Sequence, residues 1–210
     1  MTFNGTMKYK KHRILALIIA VLMLVQIPVM QIPVFGSSAA FGAGSLIIPM
    51  DTTYQNTGMW KAYGLVYKLL SEGIPVSWAI SDTKTFNGTD FTATTTDLRT
   101  GATVGSYNYS GGPFIVSSAD AAQAVPVIQA WWAKYPGLPV VHAASSAFSA
   151  NVDIVLRSAP RIANEEINAN ISIAYYNAAG IPDDNGNVWS TSSPNIVNET
   201  EIANGALFTR

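Results

Sequence analysis

Asp51, Ser117 and His142 are the residues in this sequence best suited to chemistry. A carboxylate, a hydroxyl and an imidazole are the parts of a serine hydrolase: the imidazole takes the hydroxyl proton and the carboxylate orients the imidazole. His142 would have to be the base, because the other histidine, His12, sits in a basic N-terminal segment. The nucleophile would come from Ser117–Ser118 or Ser145–Ser146. No Gly-x-Ser-x-Gly elbow is present to hold a serine in the strained turn that such chemistry uses. Each residue also has a plainer role. Asp51, followed by Thr52 and Thr53, shapes a turn through side-chain to backbone bonds. Ser117 and Asp120 read as an S-x-x-D capping box. A histidine at a strand end serves as a hydrogen-bonded structural residue. The non-catalytic reading is therefore preferred, and a hydrolase built on these three is the alternative.

Other chemistry is thinner. The chain has no cysteine, which removes disulfides, thiolate ligands and a cysteine nucleophile together. One histidine outside the N-terminal segment does not make a transition-metal site. No cofactor is expected. Asp183-x-Asn185-x-Asn187 imitates the start of a calcium loop, but the sixth position is not glycine and Pro194 stands where the bidentate glutamate belongs, so a turn is expected. Ser117–Ser118 offers backbone N–H groups to an anion. Trp60, Trp78, Trp131 and Trp132 are candidates for a carbohydrate platform, although adjacent Trp131 and Trp132 imply that one of them is core.

These groups need elements to hold them. Ser45–Met50 is an apolar run without alternation, the mark of a strand buried on both faces, and Asp51 ends it. Met59, Ala62, Tyr63, Val66 and Leu70 recur at helical spacing, Gly73 closes the helix, and Ile74–Ile80 follows as a second strand. The segment 81–112 is a Thr/Gly/Asn/Ser-rich excursion with short β segments near Asp90–Thr94 and Thr103–Tyr109. Phe114–Ser117, a helix to about Tyr135 with Pro126 inside it, and Leu138–Ala143 form a second such unit. Val152–Leu156 and Arg161–Asn164 read as strands, and Glu165–Ala179 reads as a helix closed by Gly180. The alternation predicts an α/β fold: three layers and a mostly parallel, Rossmann-like or flavodoxin-like sheet. On that layout ligands bind beyond the carboxyl ends of the strands, which selects Asp51, Thr52, Thr53, Asp82, Lys84, Ser117, Ser118, His142, Ser145 and Ser146.

Residues 1–44 carry the export signal. Lys8, Lys10, Lys11 and Arg13 precede an apolar run that extends through residues 14–35, and Ser38 and Ala40 fit the −3 and −1 positions of a signal-peptidase site. A cut after Ala40 is expected; the alternative is an uncleaved anchor over residues 14–35, long enough to span a bilayer. Either way residues 45–210 lie outside the cytoplasm, secreted or at the cell surface. Twelve basic residues face thirteen acidic ones, and four of the twelve fall in the leader. The body is thus mildly acidic, which argues against a nucleic-acid partner. Ala206–Thr209 reads as a strand that begins as the chain stops, so a C-terminal truncation is expected.

The opening strand–helix–strand, the GPFIVSS–helix–LPVVHAA unit and the APRIAN–helix–NAAGIP unit together resemble a known layout. It is that of Rossmann-like domains of large, uncharacterised secreted prokaryotic proteins, related in fold to class I glutamine amidotransferases. The resemblance covers Ser45–Thr209. That family needs a nucleophilic cysteine in a sharp strand–helix turn, and this chain has none, so the resemblance implies a fold and not an activity. The expected function is a binding or assembly module of a secreted or surface protein, with an unknown ligand or surface partner. The alternatives are the hydrolase above and a membrane-anchored sensor domain.

Overall fold

The computed structural model describes residues 37–205. The leader segment 14–35 and the expected strand Ala206–Thr209 lie outside the described residues. Among the described residues ten strands and five helices follow one another. They are β1 (Ser37–Phe41), β2 (Leu46–Ile48), α1 (Thr52–Gln55), α2 (Met59–Ser71), β3 (Val76–Ala79), β4 (Thr89–Asp97), β5 (Thr103–Ser110), β6 (Phe114–Val116), α3 (Ala121–Lys134), β7 (His142–Ala144), β8 (Phe148–Leu156), β9 (Asn164–Glu165), α4 (Ala169–Ala179), β10 (Ile196–Val197) and α5 (Glu199–Ala203).

Eight strands form one sheet in the order β1-β8-β3-β6-β2-β7-β4-β5. Every neighbouring pair in it is antiparallel. This overturns the expected three-layer, mostly parallel, Rossmann-like sheet. The strand–helix–strand units exist, but each is split. β2 and β3 point the same way across α2, with antiparallel β6 between them. β6 and β7 point the same way across α3, with antiparallel β2 between them. Two interleaved units of this kind make the β-α-β-β-α-β split arrangement. The β4–β5 hairpin is inserted between the halves and pairs onto the far side of β7.

The continuous apolar strands have a different cause from the one expected. Leu46 and Ile48 of β2, with Phe114 and Val116 of β6, face one core shared with Leu65, Leu69, Ile128 and Trp131 of the helices. Ile47 and Ile115 face the opposite side, into a second core with Phe41, Phe91, Ala93, Tyr109, Ala150 and Val152. Among the described residues no helix supplies that second core. The sheet curls into a half-barrel, and strands from its two ends cover the middle. Phe41 of β1 stacks on Phe148 of β8 at 5.3 Å. Phe148 stacks on Phe91 of β4 at 5.2 Å, and Phe91 on Tyr109 of β5 at 5.0 Å. A strand so covered is apolar on both faces whichever way its neighbours run.

Helix α4 packs on α2 through a glycine. A Cβ at Gly64 would stand 1.9 Å from the Ala179 carbonyl oxygen, so the helices meet there backbone to backbone. Gly180 ends α4 in the left-handed conformation at φ 80°, as the sequence implies. The region after β8 adds a small parallel pair, β9 with β10.

A buried carboxylate closes the loop expected to be an excursion. Asp90 accepts hydrogen bonds from the backbone N–H of Ser81 and of Gly112, both at 2.9 Å, and pairs with Lys84. It ties the exit of β3 to the turn that enters β6. Asp90→Ala is expected to lower stability by about 2–4 kcal/mol, because it leaves the two N–H groups and a cation without their acceptor. Urea unfolding of the variant measures this; an unchanged midpoint would show that the loop closes without the carboxylate.

Candidate functional site

Asp51 lies three residues past the end of β2 and caps α1: its Oδ1 accepts from the N–H of Thr53 at 3.0 Å and of Tyr54 at 3.4 Å. The turn role expected for it is thus present. The same oxygen accepts from the Tyr107 hydroxyl at 3.1 Å, which fastens β5 to the end of β2. Its Oδ2 is buried with no hydrogen-bond partner.

His142 opens β7, paired with Ile47 on one side and Asp97 on the other. The side chain is fully buried. Nδ1 lies 2.7 Å from the Tyr109 hydroxyl, which in turn lies 2.8 Å from Thr95 Oγ1. A phenol carries one proton, so the chain Thr95–Tyr109–His142 is donated in one direction at a time, and Nε2 stays without a partner in either. Tyr54 meets the imidazole edge to face at 4.4 Å and meets Tyr107 at 4.9 Å. Asp51 and His142 therefore share one cluster, linked through Tyr54, Tyr107 and Tyr109.

Burial sets the charge states. It pushes the His142 imidazole down to about 4, against the weaker opposing pull of Asp97 and Asp51. It raises the Tyr109 hydroxyl well above the usual phenol range. Tyr54 is raised by burial, then by Tyr107 and Asp51. At Asp97 burial acts to raise the carboxyl, but hydrogen bonds from Thr100 and Arg99 outweigh it and hold the group below its ordinary value. At neutral pH the cluster is a neutral imidazole against protonated phenols, sealed from solvent at His142 and Tyr109.

Ser117 is not part of it. In an antiparallel sheet the carboxyl ends of β2 and β6 lie at opposite edges, and the register Leu46↔Val116 puts Ser117 beside the start of β2. Its hydroxyl donates to Asp120 Oδ2 at 2.8 Å, and Asp120 makes no side-chain cap bond to α3. The capping box is thus replaced by a direct serine–aspartate bond. Ser118 N–H donates to Ser45 Oγ at that same edge. Ser145 and Ser146 follow β7 there too, since Ala144 N–H bonds the Ser45 carbonyl. Asp82 accepts from Asn151, and Lys84 is engaged by Asp90. The strand-end rule gathered these residues only because the sheet was expected to be parallel.

The sequence reading missed Tyr54, Thr95, Tyr107 and Tyr109. Tyr107 and Tyr109 stand two apart on β5, inside the β segment expected over Thr103–Tyr109, and Thr95 lies just past the one expected near Asp90–Thr94. What the sequence does not show is that this hairpin reaches Asp51 and His142. It also missed Gln55, fully buried, whose amide donates to the Val140 carbonyl at 2.8 Å and accepts from Val140 N–H at 3.2 Å. This exchange pins the approach to β7.

A cavity of about 370 Å³ lies elsewhere, between α2, α3 and the loop after α4, lined by Tyr67, Lys68, Trp131, Lys134, Gly180 and Pro182. It shares no residue with the Asp51–His142 cluster. Asp183 forms the expected turn, accepting from the N–H of Asn185 and Asn187 and from the Ser193 hydroxyl. Of the four candidate tryptophans, Trp131 is core, Trp78 and Trp132 donate to the Gly112 and Pro139 carbonyls, and Trp60 is exposed. Among the described residues no three His, Asp or Glu side chains gather as a metal site, and no helix is long and apolar enough to cross a membrane.

Compared with protein-family models, curated proteins and solved structures, the chain matches none, which leaves the amidotransferase resemblance without support.

Proposed function

We propose that the chain is an exported, non-catalytic assembly module that docks a protein partner through the outer face of α2 and α4. The observation that carries this is a run of exposed rings. Trp60, Tyr63 and Tyr175 are 46%, 44% and 49% exposed, yet they stack on one another: Trp60 on Tyr175 at 4.8 Å and on Tyr63 at 6.4 Å. Ile171, one helical turn before Tyr175, is 62% exposed. Large apolar side chains gathered on one outer face mark an interaction surface. The rings are tilted by 35° and 44° rather than coplanar, and an isoleucine flanks them, which suits an apolar protein surface better than the flat face of a sugar.

Two facts speak against an enzyme. His142 and Tyr109, the groups whose proton affinities are displaced furthest, are sealed in the half-barrel, and the cavity holds neither. Of the shifted groups the cavity is lined by Tyr67 alone, whereas an active site needs pocket and tuned groups in one place. No serine hydroxyl is among the hydrogen-bond partners of His142.

A photo-crosslinking residue at position 171, in the chain produced by an exporting cell, tests the reading. It is expected to give adducts of discrete mass, and the same residue at exposed Thr92 on β4 is expected to give none. Equal labelling at the two positions, or hydrolytic turnover that disappears in His142→Ala, would overturn it.

A further inference from the structure

The residues that best match a signal-peptidase site are built into the folded domain. Ser37–Phe41, which contains the expected cut after Ala40, is β1, paired residue for residue with Phe148–Val152 of β8. β3 pairs with β8 from Val152 to Leu156, and Ile80 N–H reaches the Asn151 carbonyl. Over Phe148–Ala150 the ladder to β8 is therefore the one β1 supplies, among the described pairings. Ala39 and Phe41 also reach the second core, where Phe41 is 6% exposed and stacks on Phe148.

A cut between Ala40 and Phe41 would have two consequences. It would strip one edge of β8 and leave buried Ala150 without its ladder partner Ala39, since β3 pairs with β8 only from Val152 onward. It would also place a new ammonium group on the backbone of a buried phenylalanine, at the border of an apolar cluster. Peptidase patterns read small side chains, and small side chains equally suit an edge strand lying over a core, so Ser38 and Ala40 satisfy both descriptions.

We infer that the exported protein keeps Ser37–Phe41 and is not processed after Ala40. The inference rests on the export reading of the leader. The mature chain begins at Ser37 or upstream of it, and β1 is a permanent edge of the sheet.

The test is to produce the full chain in an exporting cell, recover it from the extracytoplasmic and membrane fractions, and determine its N-terminus by intact mass and sequencing. Hydrogen exchange on the same material reads the amides of Phe148–Ala150. The expected result is an N-terminus at or before Ser37, with those amides slowed at least about 100-fold over unfolded rates. A start at Ala39 or Phe41, or unprotected β8 amides, would overturn the inference while leaving export intact. Full-length chain found inside the cell would instead overturn the export reading, and this inference with it.

Discussion

Gly64→Ala is expected to lose about 3 kcal/mol of stability, and Gly64→Val to leave α4 undocked. In an isolated helix glycine to alanine gains about 1 kcal/mol, so the sign here is set by tertiary contact. The added methyl would stand 1.9 Å from the Ala179 oxygen, 2.8 Å from the Ala179 carbonyl carbon and 2.9 Å from Trp131 Cη2. None of these is the free end of a flexible side chain. Ala179 is the last residue of α4, and Trp131 is buried between the helices and the sheet. Relief requires α4 to move away, which would also separate Tyr175 from Trp60. Urea unfolding gives the first number, and hydrogen exchange across residues 169–179 shows whether α4 has left. A Gly64→Ala protein as stable as the parent would mean that the two helices do not approach this closely.

Acid is expected to destabilise the domain through His142. The imidazole titrates near 4 in the folded protein and near 6.5 when unfolded. Between those values the unfolded chain binds the proton and the folded chain does not, so stability is full above about pH 6.5 and falls as pH drops toward 4. Below that both states are protonated and this contribution stops changing. The span corresponds to about 3 kcal/mol from this one group. His142→Gln, whose amide can still reach the Tyr109 hydroxyl, should flatten the profile between pH 6.5 and 4 even if its stability at pH 7 is lower. Midpoints of denaturant unfolding against pH test this. A parent and variant that lose stability in parallel would place the acid response elsewhere.

Local patterns in the sequence located the elements well. The spacing of Met59, Ala62, Val66 and Leu70 identifies α2, Gly180 marks the end of α4, and the apolar runs at Leu46–Ile48 and Phe114–Val116 are strands. Strand direction was not legible. Ile47 and Ile115 are buried by the far ends of a curled sheet, and the chain shows the same unbroken hydrophobic run that a helix-covered parallel sheet would require. The error then spread to the site. A parallel sheet would put Asp51 and Ser117 at one edge; the register Leu46↔Val116 puts them at opposite edges. Asp51 and His142 do share a cluster, but the residues joining them lie largely on β4 and β5; β segments are expected near Asp90–Thr94 and Thr103–Tyr109, yet nothing local says that they pair onto β7. β1 was hidden for another reason: its small residues fit the leader that precedes it.

The pairing of β1 with β8 also governs the order of assembly. Ser37 finds its partner in Val152, and β2 finds its neighbours in β6 and β7, so the middle of the sheet is made of strands that enter last alternating with strands that enter first. A chain crossing a membrane N-terminus first would deliver β1, β2 and β3 with nothing to pair with until Phe114 and then Phe148 emerge. Such long-range closure is slow, and the waiting strands are sticky. On the export proposed above, the domain should therefore fold as one late event after most of its length has been delivered, and its early strands would be clients for a holding chaperone.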